Sequence, residues 1–354
     1  MKRPLSILFV AYPLLAVSEE NAGGAEQMLL TVEREMIARG HRTTVAAADR
    51  SRVRGELLAT GEPACGFDQY EQREREHNAR ILDYVRQHPR EFDLIHDMSG
   101  SFFPYAGQCP APVLSTLHLP RAFYGEDRFA NMPANLQVNC VSDSQAQWFA
   151  DLPNMIGVVQ NGIAIEQFPF TREKRDYVLW LGRICEEKGP HLAITAARSA
   201  GLPLVIAGQV YPFSYHQAYF ERELRPHLSK SSQVWFVNRP PRTQKIELLR
   251  HARALLLTST VEETSSLVAM EAMACGTPVV AFRRGAFPEI VADGVTGFIV
   301  DTVEEMASAF GGVDRISPEQ GRERVQRNFS ASQMAQEYEE LYRRMLTSAK
   351  ELAA

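Results

Sequence analysis

The sequence predicts an α/β protein built from two doubly wound domains. Three observations carry that expectation. Short apolar, β-branched runs alternate with helical patterns along the whole chain. The runs do not alternate polar with apolar, which marks strands buried on both faces of a parallel sheet covered by helices. They also fall into two series within 354 residues, and a domain takes about 150.

The first series is Ser6–Ala11, Thr43–Ala47, Asp93–His96, Val113–Leu117 and Gln137–Val141. Its opening run needs a decision, because Met1-Lys2-Arg3 and the apolar stretch to Val17 could pass as a secretion signal. Pro13 interrupts that stretch, and a loop, a Gly pair and an amphipathic helix follow it, as in a β-α unit. We read it as a buried strand. The helix runs from about Ala25 to Arg39, with Met28, Leu29, Val32, Met36 and Ile37 as its apolar stripe and Gly40 as its stop. The second series is Tyr177–Leu181, Leu204–Ala207, Val234–Val237, Ala254–Leu257, Pro278–Ala281 and Gly297–Val300. The break between the series falls near Phe168–Arg175, where charge replaces apolar residues. A last helix follows Ser330 and puts Met334, Tyr338, Leu341, Tyr342 and Met345 on one face, which must bury against something. Trp148, Trp180 and Trp235 read as core residues.

Composition narrows the function classes. Apolar residues make up 45% of the chain and charged residues 23%, with a net charge of −5. That balance speaks against sequence-independent nucleic-acid binding, which needs a basic face. The five cysteines (Cys65, Cys109, Cys140, Cys185, Cys275) are scattered and odd in number, so a reducing, cytoplasmic setting fits better than a disulfide framework or a structural zinc site. No stretch reaches the ~18 apolar residues of a membrane span. The Arg50–Arg54 stretch reads as a solvated face, with weak membrane-surface association as the alternative.

Several common motifs are missing. No two glycines are separated by one residue, so the dinucleotide fingerprint is absent. There is no Walker-type loop, no His-Glu-x-x-His, no Gly-x-Ser-x-Gly elbow and no Asp-x-Asp pair to hold a metal against a diphosphate. We expect neither a resident metal nor a cofactor.

Sites in open parallel sheets lie at the carboxyl ends of the strands. After the Leu255–Leu257 run comes Thr258-Ser259-Thr260-Val261-Glu262-Glu263-Thr264-Ser265-Ser266, then a helix to Cys275 ended by Gly276. Ser265 or Ser266 caps that helix. Glu263 lies in the loop, and Glu271 sits about one turn inside the helix. The free amides at the helix start suit a phosphate. Taken alone, the two glutamates would be a loop charge and a helix charge, Arg183 and Lys188 would be solvated loop cations, and Gly23-Gly24 a turn. The long Tyr12–Ala22 segment exceeds the usual βα loop, which favours a functional reading of its end. His96 and His118 both end strands, where a lone histidine is more often structural than functional.

At the Glu263–Ala281 stretch the chain resembles family-4 retaining glycosyltransferases of the GT-B fold. Two glutamates with seven residues between them, then AlaMetAlaCysGlyThrProValValAla, match the family's donor-site signature. Asn21–Glu26, Val158–Phe168, Leu181–Gly189 and Glu289–Val300 match further family segments in order. The resemblance implies two Rossmann-like domains facing across a cleft, residues 1–168 on the acceptor side and 169–330 on the nucleotide-sugar side, with helix 331–354 crossing back to the first. It implies that Arg183 and Lys188 bind the donor diphosphate, Glu271 the ribose and Glu263 a sugar hydroxyl near the reacting centre. The amides of Ser266 and Leu267 would help with the distal phosphate, Gly23 and Gly24 would let backbone approach the substrates, and His118 would lie beside the donor sugar. The implied activity is retaining hexosyl transfer from a UDP-linked donor to an unidentified acceptor, by metal-independent front-face displacement. Fixed cations and helix amides would then stabilise the leaving diphosphate. Many family members carry Gly-Phe-Gly after the first glutamate. Here Thr264-Ser265-Ser266 stands there, which changes the lining beside the sugar. The alternatives are a sugar phosphorylase, a nucleotide-sugar epimerase or a non-catalytic sugar-binding protein.

Overall fold

The computed structural model describes residues 3–18, 23–63, 69–228 and 233–353. Cys65, Asn21 and Ala22 lie outside the described residues. The chain divides into two compact units, Met1–Gly162 with Ala331–Ala354, and Ile163–Ser330.

The first unit is a seven-stranded, all-parallel sheet. Its strands are β1 (Ser6–Val10), β2 (Arg42–Ala47), β3 (Glu56–Ala59), β4 (Leu94–Asp97), β5 (Val113–Leu117), β6 (Leu136–Cys140) and β7 (Met155–Val158), in the order β3-β2-β1-β4-β5-β6-β7. Helices α1 (Gly24–Ala38), α2 (Tyr70–Gln87) and α3 (Asp143–Gln147) connect them. The run read as a strand rather than a signal is the central β1, paired with β2 and β4. Two edge strands escaped the sequence reading. β3 presents Leu57 to solvent, and β7 is nowhere fully buried, so neither shows the apolar run that betrays a central strand.

The second unit holds β8 (Val178–Leu181), β9 (Leu204–Gly208), β10 (Val234–Asn238), β11 (Ala254–Leu257), β12 (Val279–Phe282) and β13 (Gly297–Val300), all parallel, in the order β10-β9-β8-β11-β12-β13. Its helices are α4 (Pro190–Ser199), α5 (Ser214–Tyr219), α6 (Arg242–His251), α7 (Leu267–Ala274), α8 (Phe287–Ile290), α9 (Val303–Val313) and α10 (Pro318–Asn328). The boundary falls before the expected Phe168, because Ile163, Ile165 and Phe168 pack into the second unit's core with Leu249, Met270 and Phe329. Trp180 is buried and donates to Thr258 Oγ1 at 3.0 Å. Trp235 is not core: it is 44% exposed, because β10 is an edge strand and every second side chain there lacks a covering layer.

The last helix, α11 (Ala331–Ala353), belongs to the first unit and packs along α1. Met334, Tyr338, Leu341, Tyr342 and Met345 are all buried, as are Met28, Leu29, Val32 and Met36 of α1. Ile37, expected in the α1 stripe, is 36% exposed. The seal is polar as well as apolar. His96 Nδ1 meets the Tyr342 hydroxyl and Nε2 the Thr116 hydroxyl, each at 2.7 Å. His96 is therefore a strut beneath α11, its imidazole held neutral by burial.

Candidate functional site

The second unit brings two of the sequence-picked residues into direct contact. β8 delivers the loop carrying Arg183 and Lys188, and the adjacent β11 delivers the loop carrying Glu263. Lys188 Nζ lies 2.5 and 2.7 Å from the two carboxylate oxygens of Glu263. Ser259 donates its hydroxyl to the same carboxylate. Lys188 is 30% and Glu263 13% exposed, so the pair is partly shielded from water and more strongly coupled than a surface pair.

The two loops are tied to each other by the backbone. Thr258 donates to the Gly189 carbonyl at 2.7 Å, and the Thr260 amide to the Glu187 carbonyl at 2.9 Å. Gly189, at φ +63, permits that approach, since a Cβ there would lie 2.3 Å from the Thr258 carbonyl oxygen. Glu263 is also held from its other side. The Ala286 amide donates to its carbonyl at 2.8 Å, and Gly285, at φ +51, leaves only 2.1 Å between a would-be Cβ and that same oxygen. Only glycine fits both the conformation and the space. Gly285 and Ser259 are positioning residues that the sequence reading missed.

Ser266, not Ser265, caps α7, its hydroxyl accepting from the Ala269 amide at 3.3 Å. The amides of Ser266, Leu267 and Val268 precede the first intrahelical donor, Met270, whose amide bonds back to the Ser266 carbonyl, so they point out of the helix start, where an anion would sit. Glu271 lies one turn on, 3% exposed. Its two oxygens meet Lys245 Nζ of α6 at 2.8 and 3.0 Å. Lys245 is a third residue missed, and its sequence surroundings, Arg242–His251, carry no motif that would flag it. Arg183 is 45% exposed and pairs with Glu187 at 3.3 Å. Each acidic side chain expected to touch the donor therefore has a lysine, and each expected cation a carboxylate.

In the first unit, Gly23 caps α1 and Gly24 opens it. A Cβ on Gly23 would lie 2.7 Å from the Glu26 carboxylate. That buried carboxyl is raised above its usual range by desolvation, against the lowering pull of the Glu26 and Gly23 amides. The helix start thus carries its own carboxylate cap. Space remains open at Gly24. His118 follows β5, and burial lowers its imidazole to about 4, so it is neutral at pH 7. Tyr12 follows β1 with its hydroxyl buried and without a hydrogen-bond partner among the described residues. Burial also raises the Tyr12 phenol far above its ordinary value. Tyr12 and Glu26 after β1 and His118 after β5 are chemistry-bearing groups beyond the carboxyl ends of this unit's strands.

Comparison with known proteins adds to this geometry. Residues 163–330 match the family model for glycosyl transferases group 1. A D-inositol 3-phosphate glycosyltransferase from Mycolicibacterium smegmatis is 32% identical over 212 residues, covering 55% of this chain and 46% of the relative. The corresponding protein of Mycobacterium avium is 31% identical over 228 residues, covering 59% and 51%. The chain thus spans about half the length of these curated relatives. Among solved structures, a sucrose-phosphate synthase from Thermosynechococcus elongatus superposes with a TM-score of 0.79 at 20% identity, covering 97% of this chain and 100% of the other. An Anabaena HepE structure in complex with UDP-glucose does so with 0.72 at 17% identity, covering 97% and 100%. At such identities the likeness is one of fold.

Proposed function

From a chain that has the GT-B fold and whose residues 163–330 match the family model for group 1 glycosyl transferases, we propose that the protein transfers a sugar from a nucleotide diphosphate sugar to an acceptor. In this reading the donor is UDP-linked, the anomeric configuration is retained and no divalent metal takes part in the chemistry. The observation that carries the reading is the convergence of Arg183, Lys188, Glu263, Glu271 and the start of α7 within one unit, at the carboxyl ends of β8 and β11. HepE, whose structure was determined in complex with UDP-glucose, and the relatives named glycosyltransferases support the donor class.

The chemistry follows from charge. Breaking a glycosyl–diphosphate bond puts developing negative charge on the leaving oxygen. Arg183, 45% exposed, is only lightly committed to Glu187 and can turn to the diphosphate as it enters, while Lys188 exchanges its close pairing with Glu263 for the diphosphate. The α7 amides add a fixed positive dipole end that needs no reorganisation. When Lys188 turns to phosphate, the Glu263 carboxylate is released toward the sugar, whose ring gains positive charge as the bond breaks. No side chain is assigned as a covalent nucleophile, so the acceptor hydroxyl attacks from the face the diphosphate leaves, and a leaving-phosphate oxygen takes its proton. Glu271, fixed by Lys245, takes the ribose hydroxyls. His118, neutral at pH 7, offers a substrate a hydrogen-bond donor or acceptor rather than a cation. Gly24, with open space beside it, leaves room for a substrate to approach the backbone.

The first test is thermal unfolding with a panel of nucleoside diphosphates and their sugar conjugates. A ligand at 100 times its Kd adds about 2.7 kcal/mol to stability. UDP and a UDP-sugar should raise the midpoint. If no nucleoside diphosphate does, the donor assignment is wrong.

A further inference from the structure

A cluster at the loop that carries Arg183 and Lys188 places no group of its own on the substrates in the reaction above. The Cys185 Sγ, a carboxylate oxygen of Glu187 and a ring nitrogen of His216 all lie within 4.8 Å of one another. Cys185 and His216 are fully buried, while Glu187 is 32% exposed and opens the cluster to solvent. The three come from two separate loops. Cys185 and Glu187 follow β8, and His216 sits in α5 after β9. The neighbouring strands hold those loops side by side.

His216 is the second, independent observation. Neither of its ring nitrogens has a hydrogen-bond partner among the described residues. The rings of Tyr211, Phe213 and Tyr215 surround it edge-on at 6.0, 5.4 and 4.2 Å between centroids. Burying an imidazole with both nitrogens unsatisfied costs free energy, and ring edges supply neither a donor nor an acceptor. A ligand that accepts an imidazole lone pair removes that cost.

We propose that Cys185, Glu187 and His216 form a binding site for a borderline-soft divalent cation of the zinc class. A thiolate, an imidazole and a carboxylate are the donor set such ions select, whereas magnesium and calcium take oxygen ligands. Three protein ligands leave a fourth, exchangeable position. In the metal-free protein the Cys185 thiol donates to the Arg183 carbonyl at 3.5 Å. Binding replaces that proton with the ion: the S–H bond breaks, a metal–sulfur bond forms from the thiolate pair, and the proton leaves to solvent. The ion also draws Glu187 away from Arg183, its partner at 3.3 Å. Neither Arg183 nor Lys188 is a ligand, so the site touches the leaving-group cations only through the Glu187–Arg183 pair.

The test uses the full chain, stripped with a chelator and titrated with cobalt(II). A thiolate-to-cobalt absorption band should grow to one equivalent and collapse on adding zinc, with excess magnesium having no effect. Cys185→Ser should abolish the band, and His216→Gln and Glu187→Gln should each weaken cobalt binding at least tenfold. Glu187, partly exposed, is the variant least able to disturb folding. No band in the wild type, or a band that survives Cys185→Ser, overturns the proposal. The readout contains no nucleotide or sugar, so it fails or succeeds independently of the transferase reading.

Discussion

Replacing Lys245 with methionine keeps most of the stem and removes the ammonium. It would leave Glu271 as a carboxylate at 3% exposure with its two lysine contacts gone. Removing one partner of a buried ion pair costs roughly 3–5 kcal/mol, because the remaining charge is desolvated and uncompensated. Lys245 itself is 21% exposed, so water can reach the vacated position, and the lower figure of about 3 kcal/mol applies. A unit of this size loses about 2–4 °C per kcal/mol, which makes the expected drop in the unfolding midpoint roughly 6–12 °C. Glu271→Gln on top of Lys245→Met removes the stranded charge. The double variant should therefore be more stable than the sum of the single changes requires, with a coupling of roughly 1–3 kcal/mol. Circular dichroism melts of the four proteins give the cycle. If Lys245→Met melts within a degree or so of the wild type, or the two changes add, the pair does not hold Glu271 and the reasoning fails.

Four further outcomes are expected. Arg183→Ala and Lys188→Ala should each lower turnover by roughly 10²–10³-fold, the cost of removing one donor to developing charge; near-normal turnover in steady-state assays of either would remove the diphosphate assignment. Glu263→Gln should lower kcat more than it changes nucleotide affinity, and Glu271→Gln should mainly weaken nucleotide binding, as calorimetry beside kinetics would show; the reverse pattern would mean that the donor is misplaced. Turnover should survive a chelator, and full loss restored by magnesium or manganese would contradict metal-independent transfer. Because burial depresses the His118 imidazole to about 4 against an ordinary 6.5, the unfolded chain binds the proton first, so stability is fully present above about pH 6.5 and falls as pH drops toward 4. His118→Asn should flatten the midpoint-versus-pH curve in that window, and an unchanged slope would count against it.

What could be read from the sequence tracks how far each feature depends on its neighbours. The central strands were legible because burial on both faces writes an unbroken apolar run, as in Ile7–Val10 and Leu255–Leu257. Whether a strand is central or at an edge is a property of the sheet, and so Val234–Asn238 looked like core while Trp235 faces outward. The short Glu56–Ala59 and Met155–Val158 strands stayed hidden for the same reason. The site behaves likewise. Glu263, Glu271, Arg183 and Lys188 stand in segments whose order and spacing point to them, and two of the four are found in contact at 2.5 Å. Lys245, Ser259 and Gly285 have no local pattern, because their roles exist only through partners 26, four and 22 residues away. Those residues decide how firmly the glutamates are held. A carboxylate fixed by a lysine and a backbone clamp keeps its position when substrate is absent, which is the condition for acting on charge as it develops rather than reorganising to meet it. The residues that sequence shows least are thus the ones through which this fold would turn two glutamates and two cations into a site.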